Sequence, residues 1–297
     1  MGAKPRIRAF FDEPTNTISY LVWDPASRHG VIIDPVLDFD PSSGTVDDDS
    51  VSELVDAATS EGVTLDWVLE THIHADHLSG APLIKTRTGA RIAIGERVRE
   101  VQNIFRPIFG ADDVKDGGGD FDRLLADGER LDVGELSIEV IHTPGHTPAC
   151  VSYRIGDAVF VGDTLFMPDY GTARTDFPGG CARQLYRSIH RLLSLPPETR
   201  LFMCHDYKAP GRDEFAWETT VAEERRSNRH AHEGVSEEEF VAMRTERDKG
   251  LATPRLLSPS IQVNMRAGRF PPADEHGVRY LRVPVKLKEG ASSGSIS

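Results

Sequence analysis

Six consecutive positions, His72-Ile73-His74-Ala75-Asp76-His77, carry three imidazoles and a carboxylate directly behind the apolar run Trp67-Val68-Leu69 and the residues Glu70-Thr71. Imidazoles gathered this densely each need a partner, and a shared metal ion supplies one for all of them. In extended chain the side-chain period is two, so His72, His74 and Asp76 leave the backbone on one face, and a turn beginning near Asp76 can swing His77 round to join them. The segment therefore offers ligands to two neighbouring ions, and any fold that holds it must present a strand end to a common polar site.

Three later segments repeat that design. Leu136-Ser137-Ile138-Glu139-Val140-Ile141 delivers His142 into the turn Thr143-Pro144-Gly145; Ala158-Val159-Phe160-Val161 delivers Gly162-Asp163; Leu201-Phe202-Met203-Cys204 delivers His205. Each run is short, β-branched or aromatic, and bounded by turn residues, the pattern of a strand. Gly162, without a Cβ, allows backbone to approach an ion beside Asp163. Seven candidate ligands thus converge from four strand ends: His72, His74, Asp76, His77, His142, Asp163 and His205.

Composition excludes several alternatives. At 297 residues the chain can bury a large core, and 39% hydrophobic with 27% charged residues is ordinary for a globular protein with no membrane span. A formal charge of −13 argues against nucleic acid as a partner while leaving room for a local basic pocket that takes a small anion. Three cysteines, Cys150, Cys181 and Cys204, without C-x-x-C spacing, argue against a disulfide framework and a thiolate zinc site. Cys181, after Gly179-Gly180 at the start of a helix, is a candidate reactive thiol. With no apolar signal core behind Met1, the chain is expected in the cytoplasm.

The order of elements predicts strands over Ile7–Phe11, Ile18–Trp23 and Gly30–Ile33, then a solvated acidic loop over Asp38–Asp49, a helix carrying Val51, Leu54, Val55 and Ala58, the histidine segment, a helix over Ala81–Thr86 and a strand over Arg91–Ile94. Gly117-Gly118-Gly119 follows no strand and is flanked by Asp116 and Asp120, so it is a loop and not a phosphate cradle. A second strand group, Leu131–Ile141, Cys150–Ile155 and Ala158–Val161, precedes a helix with Leu185, Ile189 and Leu192 buried, and Ser236-x-x-Glu239 opens a further helix as a capping box. Two strand-rich halves flanked by helices predict an α/β (α+β) architecture of two mixed sheets face to face, one domain over 1–289 with a disordered tail over 290–297.

His72-x-His74-x-Asp76-His77, followed by His142, Asp163 and His205, resembles the metallo-β-lactamase superfamily across nearly the whole chain, which implies an αββα sandwich. Several stretches are similar to its persulfide dioxygenases (sulfur dioxygenases): Thr71–His77, His142–Pro148, Ala173-Arg174-Thr175-Asp176-Phe177, Gly180-Cys181-Ala182, His205-Asp206-Tyr207 and Val263-Asn264-Met265-Arg266. Met167–Thr172 departs from the animal and plant members and looks like a bacterial subgroup.

The resemblance implies one iron(II) per chain held by His72, His142 and Asp163, with His74, Asp76, His77 and His205 as a second site or as surrounding residues, and with His77 and His205 in catalysis. Two imidazoles and a carboxylate on one face of an octahedral ion leave three positions for substrates. It further implies oxidation of glutathione persulfide by O2 to sulfite and glutathione, with Arg174, Tyr207 and Arg266 at the substrate, the guanidinium forks pairing with its carboxylates. All seven ligands of a dinuclear site are also present, so a glyoxalase II-like hydrolase of glutathione thioesters, with two zinc ions, is the alternative. Neither membrane nor nucleic acid is an expected partner, and a homodimer is compatible with the chain.

Overall fold

Trp67 and Leu69 pack to one side of their strand and Val68 to the other, so both faces are apolar and both have to be covered. The computed structural model, which describes residues 4–285, shows how; the expected tail at 290–297 lies outside the described residues.

The first half of the chain runs β1 (Arg6–Asp12), β2 (Thr17–Trp23), β3 (His29–Ile33), β4 (Val36–Asp40), β5 (Thr45–Asp47), α1 (Asp49–Ser60), β6 (Thr64–Glu70), β7 (Leu78–Ser79), α2 (Ala81–Thr88), β8 (Arg91–Gly95), α3 (Val98–Phe109) and β9 (Arg123–Leu125). The second runs β10 (Arg130–Val133), β11 (Leu136–His142), β12 (Val151–Ile155), β13 (Ala158–Phe160), α4 (Ala182–Leu193), β14 (Arg200–Phe202), β15 (Glu218–Thr220), α5 (Val221–Ser227), α6 (Glu237–Asp248) and α7 (Leu257–Asn264).

Two six-stranded sheets result, ordered β1-β2-β3-β6-β8-β9 and β10-β11-β12-β13-β14-β15. In the first, β3, β6, β8 and β9 are parallel; the second is antiparallel except where β13 runs alongside β14. Tyr20, Val22, Ile33, Trp67 and Leu69 of one sheet face Val140, Tyr153, Ile155, Phe160 and Phe202 of the other in a common core. The outer face of the first sheet is covered by Val51 and Leu54 of α1, Ile84 of α2 and Val98, Val101 and Phe105 of α3. The outer face of the second is covered by Leu185, Ile189 and Leu192 of α4 with Phe240 of α6. This is the expected αββα sandwich.

Two hydrogen bonds cross between the sheets at one rim. The Tyr153 hydroxyl donates to the Glu70 carbonyl at 2.7 Å, and the Tyr20 hydroxyl donates to the Met203 carbonyl at 2.5 Å. They join the segments that lead into His72 and His205.

The strands and helices expected at the start of the chain are present, and the capping box forms at α6. The stretch Asp38–Asp49 differs. Its first part pairs as the hairpin β4-β5, because Val36 and Leu37 ahead of the acids are buried and pair with Ser79 and Leu78 of β7.

Behind the loop that follows β13, Asn228 Nδ2 donates to the Gly171 carbonyl and to Glu224, whose buried carboxyl is pushed up to about 8 by desolvation. The fold therefore holds this proton where an unfolded chain, with an ordinary value near 4.5, releases it, so stability is full below about 4.5 and is lost as pH rises to about 8. Glu224→Gln, which cannot ionise, should match wild type in melting temperature near pH 4 and exceed it by a margin that widens up to pH 8; a constant margin across that range refutes the account.

Candidate metal centre

The ligand-bearing segments leave the two sheets at the rim that the two tyrosines tie together. His72 to His77 follow β6, Asp163 follows β13, and His205 follows β14. His72, His74, His77 and His205 are at most 1% exposed. Gly162, at φ +52°, packs against Thr71, where a Cβ would stand 2.8 Å from the threonine side chain. Its missing side chain thus lets the end of β13 close on the end of β6.

Each imidazole is held from behind, and its holder decides which nitrogen keeps a free lone pair. His74 Nε2 lies 3.0 Å from Asp34 Oδ1, His146 Nδ1 lies 2.8 Å from the Arg174 carbonyl, and His205 Nδ1 lies 3.2 Å from the Asn16 carbonyl. Carboxylate and carbonyl oxygens only accept, so these nitrogens carry the protons and the opposite ones, His74 Nδ1, His146 Nε2 and His205 Nε2, are bare. The Thr71 hydroxyl donates to Asp34 at 2.8 Å, so His72 Nδ1, 3.0 Å away, donates to it and leaves Nε2 bare. Thr17 Oγ1 stands 3.4 Å from His77 Nδ1.

Among the described residues, His72 Nε2, His74 Nδ1, Asp76 Oδ2, His77 Nε2, Asp163 Oδ1 and His205 Nε2 are buried without a hydrogen-bond partner. Buried polar atoms are rarely left so. Six of them turned toward one place fit a metal centre, with the far nitrogens fixed by outer hydrogen bonds as such sites require.

Two groups share Asp163. Its Oδ2 lies 3.9 Å from His72 Nε2 and 3.6 Å from His146 Nε2, while its Oδ1 lies 3.4 Å from His205 Nε2. Asp76 Oδ2 also lies 3.4 Å from His205 Nε2. His72, His146 and Asp163 can hold one ion; His74, Asp76 and His77 form a second group with ligand atoms equally close. Burial, helped by neighbouring imidazoles, takes His72 and His74 well below the ordinary histidine value. Burial would raise the Asp76 carboxyl, but His205, His77 and His74 together bring it well below the usual range. Burial also works against a proton on His205, yet Asp76 and Asp163 draw one on. A cation would satisfy the same field.

Three expectations change. His142 is not at the centre: its Nε2 faces the Pro148 carbonyl at 3.0 Å and its backbone N–H donates to Asp127. The next histidine, His146, takes the place, because the chain turns back at Gly145, packed so closely on α4 that a Cβ there would lie 2.3 Å from Leu185 backbone. Arg266 does not line the cavity beside the centre either. It is 5% exposed, forks onto Asp113 at 2.7 and 2.6 Å, and lines a different cleft. Arg174 does line the cavity, but its guanidinium is already forked onto Asp176 at 2.6 and 2.7 Å.

That cavity, of about 340 Å³, is lined by Asp76, His146 and Asp163 at its metal end and by Phe166, Phe177 and Tyr207 along its walls. Tyr207 stacks on His205 with ring centres 5.5 Å apart. The exposed Arg247 and Arg255 also line it, and among the described residues neither guanidinium has a polar partner. Sequence reasoning passed over both, as it did Asp34. Asn264 was noticed only as part of a motif: its Nδ2 donates to the His74 and His77 carbonyls at 2.9 and 2.8 Å and so clamps the ligand loop.

A strand-end cluster of this kind on an αββα sandwich defines a metal-dependent enzyme class, and residues 13–205 match the family model described as Metallo-beta-lactamase superfamily. The chain belongs to that superfamily. It is 53% identical over 290 residues to a probable metallo-hydrolase of Burkholderia pseudomallei (strain 1710b), covering 94% of this chain and 98% of that one. It is 43% identical over 288 residues to Glyoxylase B2 of Dictyostelium discoideum, covering 96% and 98%. To the mitochondrial persulfide dioxygenase ETHE1 of Homo sapiens it is 31% identical over 270 residues, covering 90% of each. Among solved structures, ETHE1 from Myxococcus xanthus superposes with a TM-score of 0.71 at 33% identity, covering 89% of this chain and all (100%) of that one.

Metal analysis of two variants tests the reassignment. His146→Ala should lose bound metal, whereas His142→Ala should keep it; the reverse pattern would restore His142. Asn264→Ala, which frees the ligand loop without removing a ligand, should weaken metal affinity by about 10-fold or more, read as faster metal loss to a chelator.

Proposed function

We propose that the chain is a persulfide dioxygenase acting on glutathione persulfide, with one iron(II) held by His72, His146 and Asp163. The observation that carries this reading is that two of the three triad residues, His146 and Asp163, line the cavity, whereas of His74, Asp76 and His77 only Asp76 does, so an ion held by the triad would adjoin the space where substrate enters. The kinship with a persulfide dioxygenase at 31% identity supports it. An iron(II) with two imidazoles and one carboxylate supplies the redox chemistry that lets dioxygen react with a closed-shell sulfur anion.

One persulfide, one O2 and one water give one glutathione, one sulfite and two protons; the S–S bond breaks, the terminal sulfur is oxidised and dioxygen is reduced. Arg247 and Arg255 hold the carboxylates of the tripeptide at the cavity mouth. Phe166 and Phe177 keep bulk water from the reacting sulfur. His77 and His205, the latter beneath the Tyr207 ring, lie 3.5 and 3.4 Å from Asp76 Oδ2 and, through this carboxylate on the cavity wall, orient the water that the balance consumes.

The second reading is a dinuclear hydrolase of glutathione thioesters. It is favoured by the completeness of the other ligand group and by Asp163, whose Oδ2 lies near His72 and His146 and whose Oδ1 lies 3.4 Å from His205.

An oxygen electrode separates the two. Iron-loaded protein given glutathione persulfide should take up O2 and release sulfite in equal amounts; rapid anaerobic hydrolysis of S-lactoylglutathione, with no O2 uptake on persulfide, rejects the first reading. Arg247→Gln with Arg255→Gln should raise KM for the persulfide about tenfold or more with kcat nearly unchanged, because contacts remote from the sulfur are made equally in ground and transition states. Arg266→Ala should instead lower stability and leave KM in place.

A further inference from the structure

We propose that a second, acid-walled cavity beside the centre is the path by which a divalent cation enters it. This cavity, of about 520 Å³, is lined by Asp12, Asp38, Asp40 and Asp47, and His77 forms part of the same wall. His77 is fully buried and its Nε2 has no hydrogen-bond partner, so a single ring separates the four carboxylates from the ligand cluster. The carboxylates are satisfied by hydroxyls and backbone N–H groups: Thr15 on Asp12, Ser50 on Asp38, Ser42 and Ser43 on Asp40, and the Asp48 N–H on Asp47. Among the described residues none of the four is ion-paired. Such partners keep a carboxylate charged without neutralising it; those of Asp40 hold it down to about 2.

The substrate cavity is lined by Arg174, Arg244, Arg247 and Arg255, with Asp76 and Asp163 at its metal end, and of these arginines Arg255 alone also borders the acid-walled cavity. Arg174 and Arg244 are paired with Asp176 and Asp248, so a cation approaching there would meet the two unpaired guanidinium groups of Arg247 and Arg255. Pro14 and Thr15, with Arg255 and Leu256, line both cavities and so stand between them. Anionic substrate and metal cation therefore have separate mouths onto one centre. A cleft lined by one sign of charge raises the arrival rate of the opposite ion by 10-fold or more, and salt abolishes the gain.

The inference rests on the metal centre and not on which reaction the centre performs, so it survives if the protein proves to be a hydrolase. Metal-free protein mixed with cobalt(II) in a stopped-flow instrument gives the uptake rate from the ligand-field absorption. The variant Asp12→Asn with Asp40→Asn and Asp47→Asn keeps the oxygen acceptors and removes three charges. At low ionic strength its uptake should be slower by about tenfold or more, with the gap closing at high salt. Final cobalt content, cobalt release rate and the KM of the loaded enzyme should not change. Asp47→Asn alone, at an exposed position, should give a smaller slowing of the same salt dependence, and Arg247→Gln should give none. Uptake equal to wild type at low salt overturns the proposal. So does slowing that persists at high salt, which marks a distorted centre, or a raised KM with normal uptake, which would make the cavity a subsite for the substrate's ammonium group.

Discussion

The apolar contact between the two sheets sets everything else in this molecule. Strand ends from both sheets reach one rim only because Trp67 and Leu69 on one side and Tyr153, Phe160 and Phe202 on the other bury a common core. Burial of that kind is strong but not directional. The direction comes from the Tyr20 and Tyr153 hydroxyls, which cross the gap to the carbonyls of Met203 and Glu70, close to His205 and His72. A slip of one sheet over the other would break both bonds and separate the two ligands of opposite sheets that Asp163 joins. A centre built on strand ends held in this way is more precisely placed than one carried by loops alone.

The same rim concentrates groups that cannot all be satisfied by protons. Asp34 and Glu70 are raised by burial, and the neighbouring imidazoles His72 and His74 are lowered by it. Asp34 has a particular place here. It accepts from the Thr71 N–H, from the Thr71 hydroxyl and from His74, so one carboxylate orients two of the ligating rings. Its isolation at a strand end explains why it drew no notice in the sequence: nothing beside it has ligand chemistry, and its partners lie 37 and 40 positions along the chain.

Much of the centre was legible because a strand end delivers its next residue predictably. His72, His74, Asp76, His77, Asp163 and His205 all follow strand ends, and the structure brings them to one rim. His142 failed for a reason that periodicity cannot detect. Two histidines bracket the turn Thr143-Pro144-Gly145, and which of them points inward depends on how far the turn folds back, a distance set by contact with Leu185 on α4. The hairpin β4-β5 was hidden in the same way, its two buried residues standing at the head of an acidic, serine-rich stretch. The stripe Val98, Val101, Phe105 and Phe109 of α3 had helical spacing throughout and could have been read.

The arginines show why residue type is a weaker guide than pairing. The chain carries a formal charge of −13, yet one cavity is lined by four arginines, so the net figure says little about the field at the site. Arg244, 1% exposed, is locked to Asp248 and braces the Thr172 carbonyl in the cavity wall. Arg174 is closed by Asp176, and Arg266 by Asp113, a partner 153 positions away that no local motif could disclose. Those three give up their charge to the fold. Arg247 and Arg255, lacking such partners, keep theirs for whatever anion enters, and being exposed they part with little hydration in doing so. The charge that this cavity presents to solvent is therefore decided less by which segments carry arginine than by which arginines the fold has left unpaired.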